Sequence, residues 1–308
     1  MTVRVQCLSG AVRSMLKVAV CLVVAAVTVM ALSGLAGTTA DALPDHPETS
    51  CQPDTPGNDP CAGATGPIGE NSCNGDDACP GSSGSIGDGS CNGYDACRDA
   101  AGQIGENSCN GGDACEEVQV PIGDGSCNGE YDACEEVQVP IGDGSCNGIY
   151  ACDYEDVPIG DGSCNGFHAC DSMEIGPIGD GSCNGEDACY NATTVGDGSC
   201  IGFNACNASF GVAIGDGSCI GEEACEGSFD ASIGDGSCIG YFACEGSRYL
   251  AIGDGSCIGD NACEDSGIWG ASPYLAIGDG SCIGDNACED SSSDIGDCEF
   301  NFVYVDRD

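Results

Sequence analysis

The sequence predicts an all-β fold: a parallel β-helix, or β-solenoid, of about twelve coils of 17–19 residues, stapled by disulfides. Three observations predict it. The stretch "IGDGSCNGYDAC", Ile86 to Cys97, recurs with small changes along most of the chain. Each copy carries two cysteines at a near-constant spacing, and the 308 residues hold 29 Cys and 51 Gly. Self-similarity at so short a period marks a solenoid, in which a repeat buries its faces only against its neighbours.

Residues 1–42 are a different kind of sequence. Arg4, Arg13 and Lys17 precede the apolar run "VAVCLVVAAVTVMALSGLAG", and "ADA" at Ala40–Ala42 supplies a small-x-small cleavage site. This reads as a secretory signal peptide. An uncleaved membrane anchor is the alternative, since about 19 apolar residues span a bilayer. Either way the remainder is exported, so the expected localisation is secreted or cell surface. Residues 43–67, rich in Pro and Asp, read as a linker. Residues 68–298 hold the repeats, and residues 299–308, "FNFVYVDRD" preceded by Glu299, read as a capping strand over the open end. A cleaved chain has three Arg, no Lys and fifty acidic residues, a net charge of −47. Such a surface repels nucleic acid and anionic membranes and attracts divalent cations, basic partners or a mineral surface.

The repeats start at Ile68, Ile86, Ile104, Ile122, Ile141, Ile159, Ile178, Val195, Ile214, Ile233, Ile252 and Ile277, with a truncated "IGDC" at Ile295. Numbered from these starts, positions 1–6 read I-G-D-G-S-C. Positions 7–12 read N-G-x-x-A-C in the first seven copies and I-G-x-x-A-C in the last five. Glycine recurs too often for a helix interior and suits corners between short parallel strands. About twelve coils at 4.8 Å each make a rod of roughly 58 Å. At position 7, Asn74, Asn92, Asn110, Asn128, Asn147, Asn165 and Asn184 give way to Ile201, Ile220, Ile239, Ile258 and Ile283. That exchange suggests an inward column, an Asn ladder handing over to an Ile ladder. The other reading is an Asn-Gly turn.

The blocks "IGDGSC" and "IGDNAC" resemble the hexapeptide repeat of left-handed parallel β-helices: aliphatic, Gly, two variable, small, one variable. The likeness covers about Ile68 to Asp294 and fails in the third block of six. The C-x5-C spacing is also similar to that of disulfide-stapled insect antifreeze solenoids, although their threonine rows are missing. The hexapeptide resemblance implies acyltransferases among other activities, but their catalytic His has no counterpart.

A core this thin needs staples. Every coil holds an even number of cysteines, which favours pairs within a coil: Cys73 with Cys79, Cys91 with Cys97, Cys109 with Cys115, Cys127 with Cys134, Cys146 with Cys152, Cys164 with Cys170, Cys183 with Cys189, Cys200 with Cys206, Cys219 with Cys225, Cys238 with Cys244, Cys257 with Cys263 and Cys282 with Cys288. Such pairs require a bend between the two cysteines. Pairing along a column, about 4.8 Å apart, also satisfies disulfide geometry and stays open. Cys51 and Cys61 make one further pair. Cys298 is left over, as a free thiol, a cap bridge or a link for self-association. Metal–thiolate chemistry is disfavoured, because structural zinc motifs space their cysteines more closely.

Position 3 is acidic throughout: Glu70, Asp88, Glu106, then Asp124, Asp143, Asp161, Asp180, Asp197, Asp216, Asp235, Asp254 and Asp279. The Asp row from Asp124 onward is the candidate cation-binding column, with Ca²⁺ the ion that carboxylates suit. Solvated turn aspartates are the other reading. No cofactor is otherwise expected. A second acidic strip follows the second cysteine: Glu116, Glu135, Asp153, Asp171, Glu226, Glu245, Glu264 and Glu289. Tyr94, Tyr131, Tyr150, Phe167, Phe203, Tyr241 and Phe242 fall at or near positions 9 and 10 and are expected to face outward, as a patchy binding face or as tolerated exposure. Asn191-Ala-Thr193 and Asn207-Ala-Ser209 are glycosylation sequons. A triad needs a His base, and only His46 and His168 survive cleavage, both at non-repeating places. The expectation is therefore a non-enzyme: a structural, adhesive or surface-binding repeat protein. The alternatives are an ice-, mineral- or Ca²⁺-binding solenoid and, last, a hexapeptide-type enzyme.

Overall fold

The computed structural model describes residues 47–52, 56–153, 156–171, 176–267, 275–292 and 295. The expected signal segment 1–42, His46, Cys298 and the expected cap strand 299–308 lie outside the described residues. The chain divides into two units, 1–43 and 44–308, and every described residue belongs to the second. Among the described residues there is no helix, and so none long and apolar enough to cross a membrane.

The repeats stack in parallel, one on the next. The first residue of each copy bridges to the first residue of the following one: Ile68 to Ile86, Ile86 to Ile104, and so on to Ile178 with Val195. From there the line widens into a parallel sheet of five short strands in sequence order, β1 (Thr194–Val195), β2 (Ala213–Ile214), β3 (Ser232–Ile233), β4 (Leu250–Ile252) and β5 (Leu275–Ile277). Register is direct, Ile214 opposite Ile233 and Ile252 opposite Ile277. Two further lines of pairing run through the later repeats, Ile201–Ile220–Ile239–Ile258–Ile283 and Phe210–Phe229–Arg248–Gly267.

The strands are shorter than the hexapeptide resemblance implies, two or three residues each. The reason lies in the backbone. Position 4 is left-handed, with Gly162 at φ 66° and Gly181 at φ 67°, and the two copies that read "ENS" place Asn71 (φ 55°) and Asn107 (φ 54°) there instead. Asn tolerates this region better than most residues. The first cysteine of each pair is left-handed too, at φ 54–57° from Cys73 to Cys282. An extended run therefore breaks every few residues, and these breaks supply the bend that pairing within a repeat requires.

The core is a set of columns rather than a cluster of large side chains. Position 1 (Ile or Val), Ser at 5, Cys at 6 and 12 and Ala at 11 are all buried. Each Ser Oγ donates to the carbonyl of the position-2 Gly in the next repeat, at 2.6–2.8 Å. The same Oγ accepts the N–H of the next repeat's Ser at 3.1–3.2 Å. A buried hydroxyl is thus satisfied in both roles, as burial of a polar group demands. Glycine at 2 and 8 answers to closeness. A Cβ on Gly166 would lie 2.1 Å from the carbonyl oxygen of Gly185, and one on Gly142 would lie 2.7 Å from the backbone N of Asp161.

Two expectations change. The segment 43–67 was expected to be a linker, yet its described residues carry the repeat's own bonds. Ser50 Oγ donates to Gly69 O at 2.6 Å and accepts from Ser72 N, Cys51 N donates to Ser72 O, and Cys79 N donates to Pro60 O. Cys51 sits at φ 57°, like every first cysteine after it. This segment is a degenerate repeat that lacks the I-G start. The position-7 column, expected inside, is half-buried in both its Asn and Ile portions.

The Asn-to-Ile exchange has a different basis. From Asn74 to Asn165, each Asn N–H donates to the side-chain Oδ1 of the next repeat's Asn, at 3.0–3.1 Å. From Ile201 onward the same N–H reaches the backbone carbonyl of the next repeat's cysteine, Ile201 to Cys219 at 3.2 Å. Asn supplies with its side chain the acceptor that the Ile repeats take from the main chain, and bridges at this position occur only among the Ile copies.

Candidate interaction face

Thirteen disulfides join cysteines within repeats, from Cys51–Cys61 and Cys73–Cys79 through Cys282–Cys288, with Cα–Cα distances of 5.5–5.7 Å. The bridges of neighbouring repeats stack, so that the sulfurs of Cys79, Cys91 and Cys97 lie within 4.8 Å of one another. Among the described residues, the groups of three or more ligand-type atoms gathered this closely are all cysteine sulfurs, and these are committed to disulfides.

The acidic row at position 3 has a structural task. Where the following repeat carries Asp, the N–H at this position donates to that residue's Oδ1 at 2.7–3.0 Å, in ten pairs between Glu70–Asp88 and Asp254–Asp279. Asp124, Asp143, Asp161, Asp180, Asp197, Asp216, Asp235, Asp254 and Asp279 all stand exposed in one line, with one carboxylate oxygen occupied in this way. Asp is shorter than Glu by one methylene, which suits a side chain that must turn back onto the neighbouring backbone.

Positions 9 and 10 form the turn between the two cysteines. The N–H of position 10 donates to the carbonyl of position 9 in the preceding repeat: Tyr150 to Tyr131, His168 to Ile149, Asp187 to Phe167. Position 10 is left-handed in all twelve copies, φ 42–58°. Eight copies meet this with Asp or Asn: Asp77, Asp95, Asp113, Asp132, Asp187, Asn204, Asn261 and Asn286. Tyr150, His168, Glu223 and Phe242 do not, and a bulky residue in this region stores strain of order 1 kcal/mol. Tyr94, Tyr131, Phe167, Phe203 and Tyr241 at position 9 are 41–58% exposed, too much for packing to explain them. Three of these turn residues make a cluster. The Tyr150 ring stacks on His168 with centroids 5.0 Å apart, and Phe167 meets His168 edge-on at 4.2 Å. His168 Nδ1 lies 3.0 Å from Asp171 Oδ2.

Beside this turn runs the acidic strip after the second cysteine, half-buried along most of its length. Arg98 answers it locally, pairing with Asp95 at 3.2 Å and with Glu116. Elsewhere the carboxylates crowd one another. Partial burial pushes Asp113, Asp132 and Glu135 above the ordinary carboxylate range, and for Glu135 its neighbours Asp132 and Glu136 add to the push. Glu245 is raised furthest, to about 7, first by desolvation and then by Glu264, Glu223, Glu226 and Asp265. Glu226 and Glu264 are raised too, first by desolvation and then by their own neighbours, Glu223 for Glu226 and Glu289, Asp265 and Asp290 for Glu264. A strip of crowded, half-buried carboxylates whose ionisation is disfavoured is a strip that a cation would relieve.

Of the residues singled out in the sequence, the position-3 row serves the backbone, whereas the turn aromatics and the strip after the second cysteine share one surface. The left-handed turn at position 10 was missed, and its signal was present in the column's preference for Asp and Asn. The sequon residues Thr193 and Ser209 spend their hydroxyls on Val212 O and Cys225 O. No curated protein and no solved structure matches the chain. One family model matches three times, over residues 49–169, 151–240 and 228–301, so that the match begins within the degenerate repeat and runs through nearly all of the stack. The chain therefore belongs to the family described as a domain of unknown function, DUF7640.

Proposed function

We propose that the chain is an exported, non-catalytic rod: a disulfide-stapled β-solenoid of about twelve coils with a structural, adhesive or surface-binding role outside the cell or on its surface. One observation carries the reading. Every repeat is tied internally by a disulfide and externally by the Ser, Asp and Asn or Ile ladders, so that the stack presents the same turn at a fixed interval. Disulfides at this density persist in oxidising compartments. No His column accompanies the abundant Ser and Asp, and a regular exposed surface suits recognition of an extended partner better than it suits a single reaction centre. The net charge directs such recognition toward basic or mineral surfaces and away from nucleic acid and anionic membranes.

The first test is the intact mass of the secreted protein after alkylation without reduction. Zero or one adduct is expected, the one falling on Cys298 or hidden by dimerisation through it. Twenty or more adducts would mean free thiols and would end the scaffold reading. A second reading, cation binding by the Asp row from Asp124 to Asp279, is favoured by its exposure and regular spacing. Calcium calorimetry and thermal hysteresis test it and the ice-binding variant together, and null results in both remove them.

A further inference from the structure

We propose that Tyr131, Tyr150, Phe167 and His168 form an acid-bracketed aromatic platform that docks a basic peptide segment, its guanidinium or ammonium heads lying over the rings. The inference deepens the surface-binding reading above by naming a place on the rod and a class of partner.

The argument starts from the turn column. Position 10 wants Asp or Asn, because its backbone is left-handed in every repeat, and eight copies comply. Tyr150 and His168 stand in consecutive repeats at φ 55° and 50°, where Asn would sit with less strain. They lie half-buried in the turn, outside the core columns, where they touch each other, Phe167 and Asp171. Strain kept at a position outside the core columns points to a use outside folding.

The rings are also arranged. Tyr150 and His168 stack, Phe167 closes edge-on against His168 and lies 6.4 Å from Tyr150, and Phe167 and Tyr131 are 42% and 55% exposed. Read along the stack, the position-10 column runs Asp132, Tyr150, His168, Asp187, and the position-9 column runs Tyr131, Ile149, Phe167, Glu186. Carboxylates thus bracket the rings, Asp132 in the repeat of Tyr131 and Glu186 and Asp187 one repeat after Phe167 and His168. A cation over an aromatic face gains from the ring's quadrupole, and flanking carboxylates add to that gain. The surrounding charge selects the same partner. Arg98 is the nearest cation in the chain on the N-terminal side and Arg248 on the C-terminal side, so nothing within these repeats competes for the rings. A neutral saccharide would use the rings but leave the carboxylates unanswered.

The test uses the secreted protein with its disulfides intact, at pH 8. A fluorescent hexa-arginine peptide is titrated in moderate salt against wild type, the double variant Tyr150→Asn/His168→Asn, and Phe167→Ala. Saturable binding that weakens about tenfold in the double variant and also weakens in Phe167→Ala supports the site. The double variant is expected to melt no lower than wild type, since Asn relieves the turn. Equal affinity for all three proteins would reduce the interaction to diffuse charge and overturn the proposal. Absence of saturable binding, or tighter binding of a neutral hexasaccharide than of the peptide, would overturn it too. So would a lower melting point of the double variant, which removes the strain argument. The disulfide count and melting point of wild type report on the rod by themselves, so failure of the platform and failure of the scaffold are read separately.

Discussion

The N–H of Asp143 donates to Oδ1 of Asp161 at 2.9 Å, across the gap between two repeats. A residue that looks in the sequence like surface charge is thereby an acceptor for its neighbour's main chain. Asp161→Ala removes that acceptor and is expected to lower stability by about 1 kcal/mol. Asp161→Asn keeps an acceptor oxygen and removes one charge from a like-charged row, so it is expected to match or exceed wild type. Guanidinium midpoints with disulfides intact separate the two. Equal loss in both variants would mean that charge, not the acceptor, is what matters.

The serine column admits a sharper test, because it is buried. Ser163 Oγ donates to Gly179 O at 2.7 Å and accepts from Ser182 N at 3.1 Å. Ser163→Ala orphans both partners and is expected to cost about 3 kcal/mol. Hydrogen exchange should accelerate at the Ser182 amide in particular. Unchanged exchange there would contradict the ladder.

Two glycines four residues apart are expected to behave differently. Gly162 has φ 66° and open space around the site of a Cβ, whereas a Cβ on Gly166 meets the Gly185 carbonyl oxygen at 2.1 Å. Gly162→Asn places there the residue that the repeats from Ile68 and Ile104 already use, as Asn71 and Asn107, and is expected to change stability by under about 1 kcal/mol. Gly166→Ala forces two backbones apart and is expected to reduce the yield of fully oxidised protein severely. Secreted yield and melting point decide the matter, and a well-folded Gly166→Ala would refute the close approach.

Acidity should stabilise the strip around Glu245. Its folded pKa of about 7 lies above the ordinary 4.5, so the folded state holds a proton that the unfolded chain releases earlier. The contribution is full below about pH 4.5 and is lost as pH rises through 7. Glu264, Glu223, Glu226 and Asp265 face Glu245, and Glu226 and Glu264 are themselves raised above the ordinary carboxylate range. Melting temperature is therefore expected to fall between pH 5 and pH 8, and Glu245→Gln is expected to flatten that fall. A melting curve that does not change over this range in wild type would count against the crowding.

Much of the architecture was legible because the repeat is nearly the same each time. The period, the two cysteines and the Ile, Ser and Ala columns follow from reading one copy under another. The degenerate first repeat was not legible, because "TSCQ" and "DPCAGA" keep the Ser and Cys of the pattern but lose Ile and Gly at its start. The inward placement of position 7 was a fair inference from Asn exchanging with Ile, and it failed because a hydrogen bond, not burial, is what the two residues have in common.

The sequence by itself determined that this protein is a stack of like parts that need covalent staples, since no repeat holds enough apolar volume to fold alone. Only the tertiary structure decided what the polar columns do. Whether an Asp is surface charge or a backbone acceptor depends on an N–H supplied by another repeat. Whether a turn aromatic is tolerated or strained depends on a φ angle set by a disulfide and two neighbouring ladders. Those relations exist only between repeats, about 4.8 Å apart in space and 17 to 25 residues apart in the chain.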